Sequence, residues 1–287
     1  MRRTLLAATV AFALAGVLSG CAIRISDTSF IRPVAASALD ASAAAGQLPA
    51  GYVITTDFVA TNDGEKLYRA RFTHPDAKSV MLFFNGNIST VEKHAIETAL
   101  KVSKDWHPNL VFVDYRGYGQ SSGKPSLETL HADALLLFED EQKRARASRQ
   151  KVVLAGYSIG GVVAGGVLET FQPDAVLLIA TVTDVKDMVA RAIPFYMKAF
   201  FRITVDPRLA AIDNRRALTK YNGPLLIVGG ERDSQTPAVM SKALFDAAAT
   251  PNANKQLVIA KGAGHGEVLD APEFRETLKL FVAKNGL

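Results

Sequence analysis

The chain has 287 residues, 48% of them hydrophobic and 21% charged, enough to bury one sizeable core and consistent with a single α/β domain. Its formal net charge of +5 is scattered rather than gathered into a basic patch, which argues against a nucleic-acid partner. A single cysteine excludes an internal disulfide.

Met1 to Gly20 opens with Arg2 and Arg3 and continues as an apolar run from Leu5 to Leu18, the pattern of a secretory leader. Leu18-Ser19-Gly20-Cys21 resembles the lipobox of bacterial lipoproteins, which implies that residues 1–20 are removed and that Cys21 is lipidated and becomes the mature N-terminus. A plain cleaved leader or an uncleaved anchor is the alternative, although the run is short for a spanning helix. Lipidation implies a protein held to a membrane of the cell envelope outside the cytoplasm, and Ala22 after the cysteine resembles the outer-membrane pattern where a cell has two membranes. Residues 21–51, with Ala35-Ala-Ser-Ala38 and Ala41-Ser-Ala-Ala-Ala-Gly46, read as a flexible tether.

The folded part, 52–287, opens with alternating segments from Tyr52 to Ala60 and Lys66 to Thr73, joined by the hairpin signal Asn62-Asp-Gly64. Val80–Phe84 is a buried strand running into Asn85-Gly-Asn-Ile-Ser89 and then a helix from about Thr90 to Lys104. Leu110–Val113 is a further strand, followed by a loop from Asp114 to Ser126 and a long helix to about Arg146. Val152–Ala155, Ala175–Ala180, Pro224–Gly229 and Gln256–Ala260 complete the strands, with helices over Val239–Ala249 and Pro272–Lys284. Strands alternating with helices predict a mostly parallel sheet covered on both faces, with an antiparallel N-terminal hairpin.

Gly156-Tyr-Ser-Ile-Gly160 fits Gly-x-Ser-x-Gly, a sharp strand-to-helix turn that exposes the hydroxyl of Ser158 above the sheet, with glycine required on either side by close approach. A serine hydroxyl needs a base, an acid to orient that base, and donors for the oxyanion. His265 in Lys261-Gly-Ala-Gly-His-Gly266 is the histidine after a late strand, and Asp233 in Gly229-Gly-Glu-Arg-Asp233 ends the strand before it. Glu231 and Asp184 are the alternative acids. His74, His94, His107 and His131 receive no role. The N–H groups of Ile159, which opens a helix, and Asn87 are the candidate oxyanion donors, their side chains being incidental to that role. No His/Asp/Glu cluster has metal-ligand spacing, and the glycines after Ala155 lack Gly-x-Gly-x-x-Gly, so neither metal nor organic cofactor is expected.

Asp114-Tyr-Arg-Gly-Tyr-Gly-x-Ser-x-Gly-x-Pro-Ser126, Gly156-Tyr-Ser-Ile-Gly160, Gly230-Glu-Arg-Asp233 with Thr236-Pro237, and Gly262-Ala-Gly-His265 resemble, in order and spacing, the α/β-hydrolase superfamily, and more narrowly its small ABHD-type serine hydrolases. The resemblance spans about Tyr52 to Leu287. It implies Ser158, Asp233 and His265 as a catalytic triad, Asn87 and Ile159 as oxyanion donors, and a bracing rather than reacting role for 114–126. Asn85 stands where relatives often carry histidine, and Tyr157, where many carry Arg or His, would alter the acyl-side wall. The short stretch Asp187–Ile203 is available as a lid, its Phe195 and Phe200 lining an acyl groove, facing lipid, or simply covering the sheet. The resulting expectation is a monomeric, membrane-anchored serine hydrolase acting on small-molecule or lipid-like carboxylic esters or thioesters through an acyl-serine. Peptidase, acyltransferase and a non-enzymatic envelope lipoprotein that binds through the same scaffold are the alternatives.

Overall fold

The computed structural model describes residues 22–27, 31–192 and 202–287. An eight-stranded sheet forms the centre. In chain order its strands are β2 (Val53–Ala60), β3 (Lys66–Thr73), β4 (Ser79–Phe84), β5 (Asn109–Val113), β6 (Lys151–Tyr157), β7 (Ala175–Ile179), β9 (Leu225–Gly230) and β10 (Lys255–Ala260). They lie side by side as β10-β9-β7-β6-β4-β5-β3-β2. β3 is antiparallel to both neighbours, so it alone runs against the other seven. The hairpin, the parallel sheet and its helical cover are as the patterning predicts.

The central strands are apolar on both faces because helices cover both, and their side chains divide with the two-residue period of a strand. Met81 and Phe83 of β4, Val153 and Ala155 of β6, and Leu226 and Val228 of β9 pack beneath α2 (Val91–Val102) and α9 (Pro272–Asn285). Val80, Leu82 and Phe84, with Val152 and Leu154, face α3 (Leu127–Ala147), α4 (Ile159–Leu168), α7 (Asn214–Leu218) and α8 (Ala238–Ala247) on the other side.

The segment expected as a free tether is in part laid along this domain. Ile31 is buried in one core layer and Ala44, on the short helix α1 (Ala41–Ala45) capped by Asp40, is buried in the other. Leu39 N–H donates to the Tyr68 hydroxyl at 3.0 Å, and Gly119 N–H to the Val34 carbonyl at 2.7 Å. A few apolar side chains and backbone bonds to tyrosines and a loop hold the segment down, and neither leaves a periodic trace in an alanine-rich sequence. Farther upstream, β1 (Ala22–Ile25) pairs in parallel with β8 (Arg202–Val205) in a separate two-stranded ribbon.

Between β7 and β9 the described residues form α5 (Val185–Ala192), β8, α6 (Pro207–Ala210) and α7. Phe195, Phe200 and Cys21 lie outside the described residues. Among the described residues no helix is long and apolar enough to cross a membrane.

Beside the hairpin, Arg69 lies almost wholly inside the protein. Its guanidinium meets Asp57 at 2.6 Å, Asp140 at 2.6 Å and the fully buried Glu141 at 2.9 Å, while Arg71 also reaches Glu141. Burial drives the Glu141 carboxyl upward from its ordinary value, against the pull of the two arginines. Removing one partner of such a buried group strands the other. Arg69→Met is therefore expected to lower unfolding free energy by about 3 kcal/mol in urea titration at neutral pH.

Candidate active site

Ser158 occupies the turn between β6 and α4 with φ +56° and ψ −119°, a conformation that L-residues rarely adopt. The surroundings hold it there. Its N–H donates to the Ile179 carbonyl at 2.9 Å, and its carbonyl accepts from the Thr181 hydroxyl at 2.8 Å and Gly161 N–H at 3.0 Å. The flanking glycines are a steric requirement: a Cβ on Gly156 would stand 2.3 Å from the Gly160 carbonyl oxygen, and one on Gly160 only 1.9 Å from that of Phe84.

The loops after β9 and β10 bring two further side chains to the serine. His265 Nε2 lies 3.0 Å from Ser158 Oγ, and His265 Nδ1 lies 2.7 Å from Asp233 Oδ2. Asp233 also accepts from the N–H groups of Gln235 and Thr236, both at 2.8 Å, and from the Thr236 hydroxyl at 2.6 Å. Burial opposes its ionisation, but the bonds from His265 and Thr236 outweigh that, and the carboxyl is held below its ordinary value. The alternative acids are engaged elsewhere, Glu231 with Gly262 N–H at 2.8 Å and Asp184 with Arg215 and Asp187 N–H. In this arrangement an ionised carboxylate fixes the imidazole tautomer whose free nitrogen can take the serine proton.

Tyr157 packs its ring 5.3 Å from that of His265 and donates its hydroxyl to the His265 carbonyl at 2.9 Å; burial pushes its pKa up to about 12. Tyr157, expected to alter an acyl-side wall, lines the cavity that His265 lines and pins the histidine loop.

The loop after β4 faces the serine from the other side, and its shape depends on 114–126. Asp114, buried, accepts from Val91 N–H at 2.6 Å and Gln120 N–H at 2.9 Å, with burial raising its pKa in spite of both bonds. Tyr115 donates to the Asn85 carbonyl at 2.7 Å. Arg116 binds Asp133 at 2.7 Å and Asp63 at 2.5 Å, tying the loop to α3 and to the β2–β3 hairpin. Tyr118 donates to Asn87 Oδ1 at 2.8 Å and itself accepts from Arg32 N–H at 2.9 Å. Asn87 Oδ1 also accepts from the N–H groups of Arg32 and Ile88, both at 3.1 Å. The Asn87 side chain is therefore not incidental, since it fastens the loop from which its own N–H projects. Ile88, β-branched, sits at φ +56°, so the loop is held in a strained shape.

Two cavities meet at Ser158. One, of about 380 Å³, is walled by the Asn85–Ser89 loop, His94, Lys101, Tyr157 and His265. The other, of about 240 Å³, is walled by Ile159, Val162, Val182, Val185 and Leu209. Arg32 and Gln235 line both. Neither stands out in the sequence, because Arg32 reaches the site only through its packed N-terminal segment. Among the described residues no cluster of three His, Cys, Asp or Glu side chains is placed to hold a metal.

Residues 131–282, more than half of the chain, match the model of the prolyl oligopeptidase family. The chain belongs to that family. Its relatives include an uncharacterised protein of Mycobacterium tuberculosis, 29% identical across 85% of this chain and 83% of that protein. α/β hydrolase domain-containing protein 17B of Xenopus laevis is 28% identical across 73% of this chain and 68% of its own. Among solved structures, the Pyrococcus furiosus esterase Pf2001 superposes with a TM-score of 0.66 at 18% identity, covering 89% of this chain and 97% of that one. Est1E from Butyrivibrio proteoclasticus, solved with ferulic acid bound, gives 0.64 at 18%, covering 80% and 98%. The protein is a hydrolase of the α/β fold, of the ABHD type.

Tyr118→Phe deletes the hydroxyl between Asn87 and Arg32 while leaving the buried ring. It is expected to lower kcat/KM roughly fivefold to tenfold, with the melting temperature falling by no more than about 4 °C, read by ester turnover and calorimetry. Because the folded-state pKa of Asp233 lies below its unfolded value, its ionised form adds stability above about pH 4, and this is lost as pH falls through the folded value. The stability gap between wild type and Asp233→Asn in urea is accordingly expected to shrink from about pH 7 to about pH 3.

Proposed function

We propose that the protein is a serine hydrolase that cleaves carboxylic esters or thioesters through an acyl-serine intermediate. The observation that carries this reading is the single imidazole bridging Ser158 Oγ at 3.0 Å and Asp233 Oδ2 at 2.7 Å. His265 Nε2 takes the Ser158 proton as Oγ bonds to the carbonyl carbon. The N–H groups of Ile159 and Asn87 hold the oxyanion, each worth roughly 3 kcal/mol to the transition state. The proton then passes to the leaving oxygen or sulfur as its bond to the acyl carbon breaks. Water, deprotonated by the same imidazole, attacks the acyl-serine, and the acid departs with Ser158 restored.

The family match favours a second reading, hydrolysis of a peptide bond by the same residues. Against it, the smaller cavity at Ser158 has no carboxylate among its described lining residues, and the carboxylate lining the larger, Glu97, is paired with Lys101 at 2.7 Å. The enzyme acts as a monomer, anchored to a membrane of the bacterial envelope through lipidated Cys21; the leader pattern supports that anchoring.

Ser158→Ala is expected to lose turnover of p-nitrophenyl esters at least about 10,000-fold and to lose labelling by a fluorophosphonate probe, with an unchanged circular dichroism spectrum. Turnover equal to wild type in that variant refutes the mechanism. Faster cleavage of aminoacyl amides than of esters by wild type selects the peptidase reading.

A further inference from the structure

The proposed anchor leaves no slack. Cys21 is bonded directly to Ala22, the first residue of β1, and consecutive Cα atoms stand about 3.8 Å apart. β1 pairs along its whole length with β8, from Ala22 beside Arg202 to Ile25 beside Val205. Asp206 N–H carries the pairing one step further, to the Ile25 carbonyl at 2.8 Å, and the Asp206 carboxylate accepts from Arg24 at 3.1 Å. Acyl chains attached at Cys21 therefore leave the protein at the end of this ribbon.

The ribbon in turn rests on the catalytic edge of the central sheet. Ile25 and Val205 pack against Val185, Val189 and Leu209, and two of these, Val185 and Leu209, are walls of the smaller cavity at Ser158. Asp206 also caps α6, the helix that carries Leu209, by accepting from Arg208 N–H at 3.0 Å. β6 climbs from Lys151 to Tyr157 before it reaches Ser158, so the end of α3 at Ala147 lies at the opposite edge, with a strand of about 23 Å between.

Charge adds little to this face. Arg24, Lys186, Arg191 and Arg208 are exposed, but Asp206 pairs with Arg24 and Arg208, Asp187 pairs with Arg191, and Asp27 lies half-buried in the same segment. A nearly balanced face gains little from anionic lipid, so the point of attachment decides which way the domain is turned.

We infer that the β1–β8 ribbon is the membrane-contact surface of the protein, and that the lipid on Cys21 holds the Ser158 edge of the sheet against a bilayer. This rests on the anchoring reading above. The tether expected between lipid and domain is taken up at its first residue by β1, which places the catalytic serine at the membrane–water boundary with a fixed orientation.

The test uses the full lipidated chain in phosphatidylcholine vesicles that carry doxyl-labelled lipid as a fluorescence quencher. Cys21 is the only cysteine, so once it is acylated an introduced thiol takes a fluorophore alone. Probes go on Arg24→Cys in β1 and Thr204→Cys in β8, both exposed and on different strands, so one stays readable if the other disturbs the ribbon. A further probe goes on Ala147→Cys, exposed at the far edge. Doxyl lipid is expected to quench the ribbon probes and to leave the Ala147 probe bright. A flexible Gly/Ser insertion of about ten residues between Cys21 and Ala22 gives the anchor a reach of roughly 17 Å, and is expected to abolish the ribbon quenching while the circular dichroism spectrum stays unchanged. Equal quenching at the ribbon and at Ala147, or ribbon quenching that survives the insertion, overturns the inference. Wild type that carries no acyl chain on Cys21 by mass spectrometry overturns the anchoring reading and the inference with it, whereas an acylated protein with unquenched ribbon probes overturns the inference alone.

Discussion

The whole site depends on how closely α4 approaches the sheet. Gly160 lies so near the Phe84 carbonyl that no side chain fits between them. That contact joins the end of β4, the turn after β6 and the start of α4 in one place. It puts the first N–H groups of a helix beside the loop 85–88 and leaves the serine hydroxyl facing both. The strained backbone at Ser158 is stable only because Ile179 and Thr181, from the neighbouring strand and its loop, absorb its polar groups. Strain and close packing are two aspects of one geometry.

Around that contact the protein invests its buried polar groups in support. Asp114, Tyr115, Arg116 and Tyr118 follow one another closely in sequence, yet each bonds a different element: the start of α2, the Asn85 carbonyl, α3 with the hairpin, and Asn87 with Arg32. None of the four touches Ser158, His265 or Asp233 through a hydrogen bond among the described residues. They determine where the loop opposite the serine can sit. A loop with a β-branched residue at positive φ does not hold its shape unaided, and a network whose members are mutually satisfied supplies the rigidity.

Ser158, Asp233 and His265 were legible in the sequence because each sits in a short local pattern at a strand end, and the chain order of those patterns restricts which residues can meet. The strands were legible because burial on both faces leaves continuous apolar runs such as Val80–Phe84 and Ala175–Ile179. What escaped reading depends on contacts without period. Arg32 reaches the site because Ile31 is buried and because a tyrosine and an asparagine far along the chain accept its backbone N–H. The support given by the Asn87 side chain was hidden for the same reason, since Tyr118 is remote from it in sequence and neighbouring only in space. α1 is one turn of alanines, too short for an amphipathic stripe to show.

The course of the N-terminal segment changes what counts as the complete protein. A fragment beginning at the first strand of the central sheet would keep every residue of the hydroxyl–imidazole–carboxylate relay and every strand around it. It would nevertheless lack Arg32, one wall common to both cavities, and Asn87 and Tyr118 would each lose the backbone donor that joins them to it. Boundaries drawn from sheet topology alone would therefore cut away part of the active-site wall together with Ile31 and Ala44 of the two core layers.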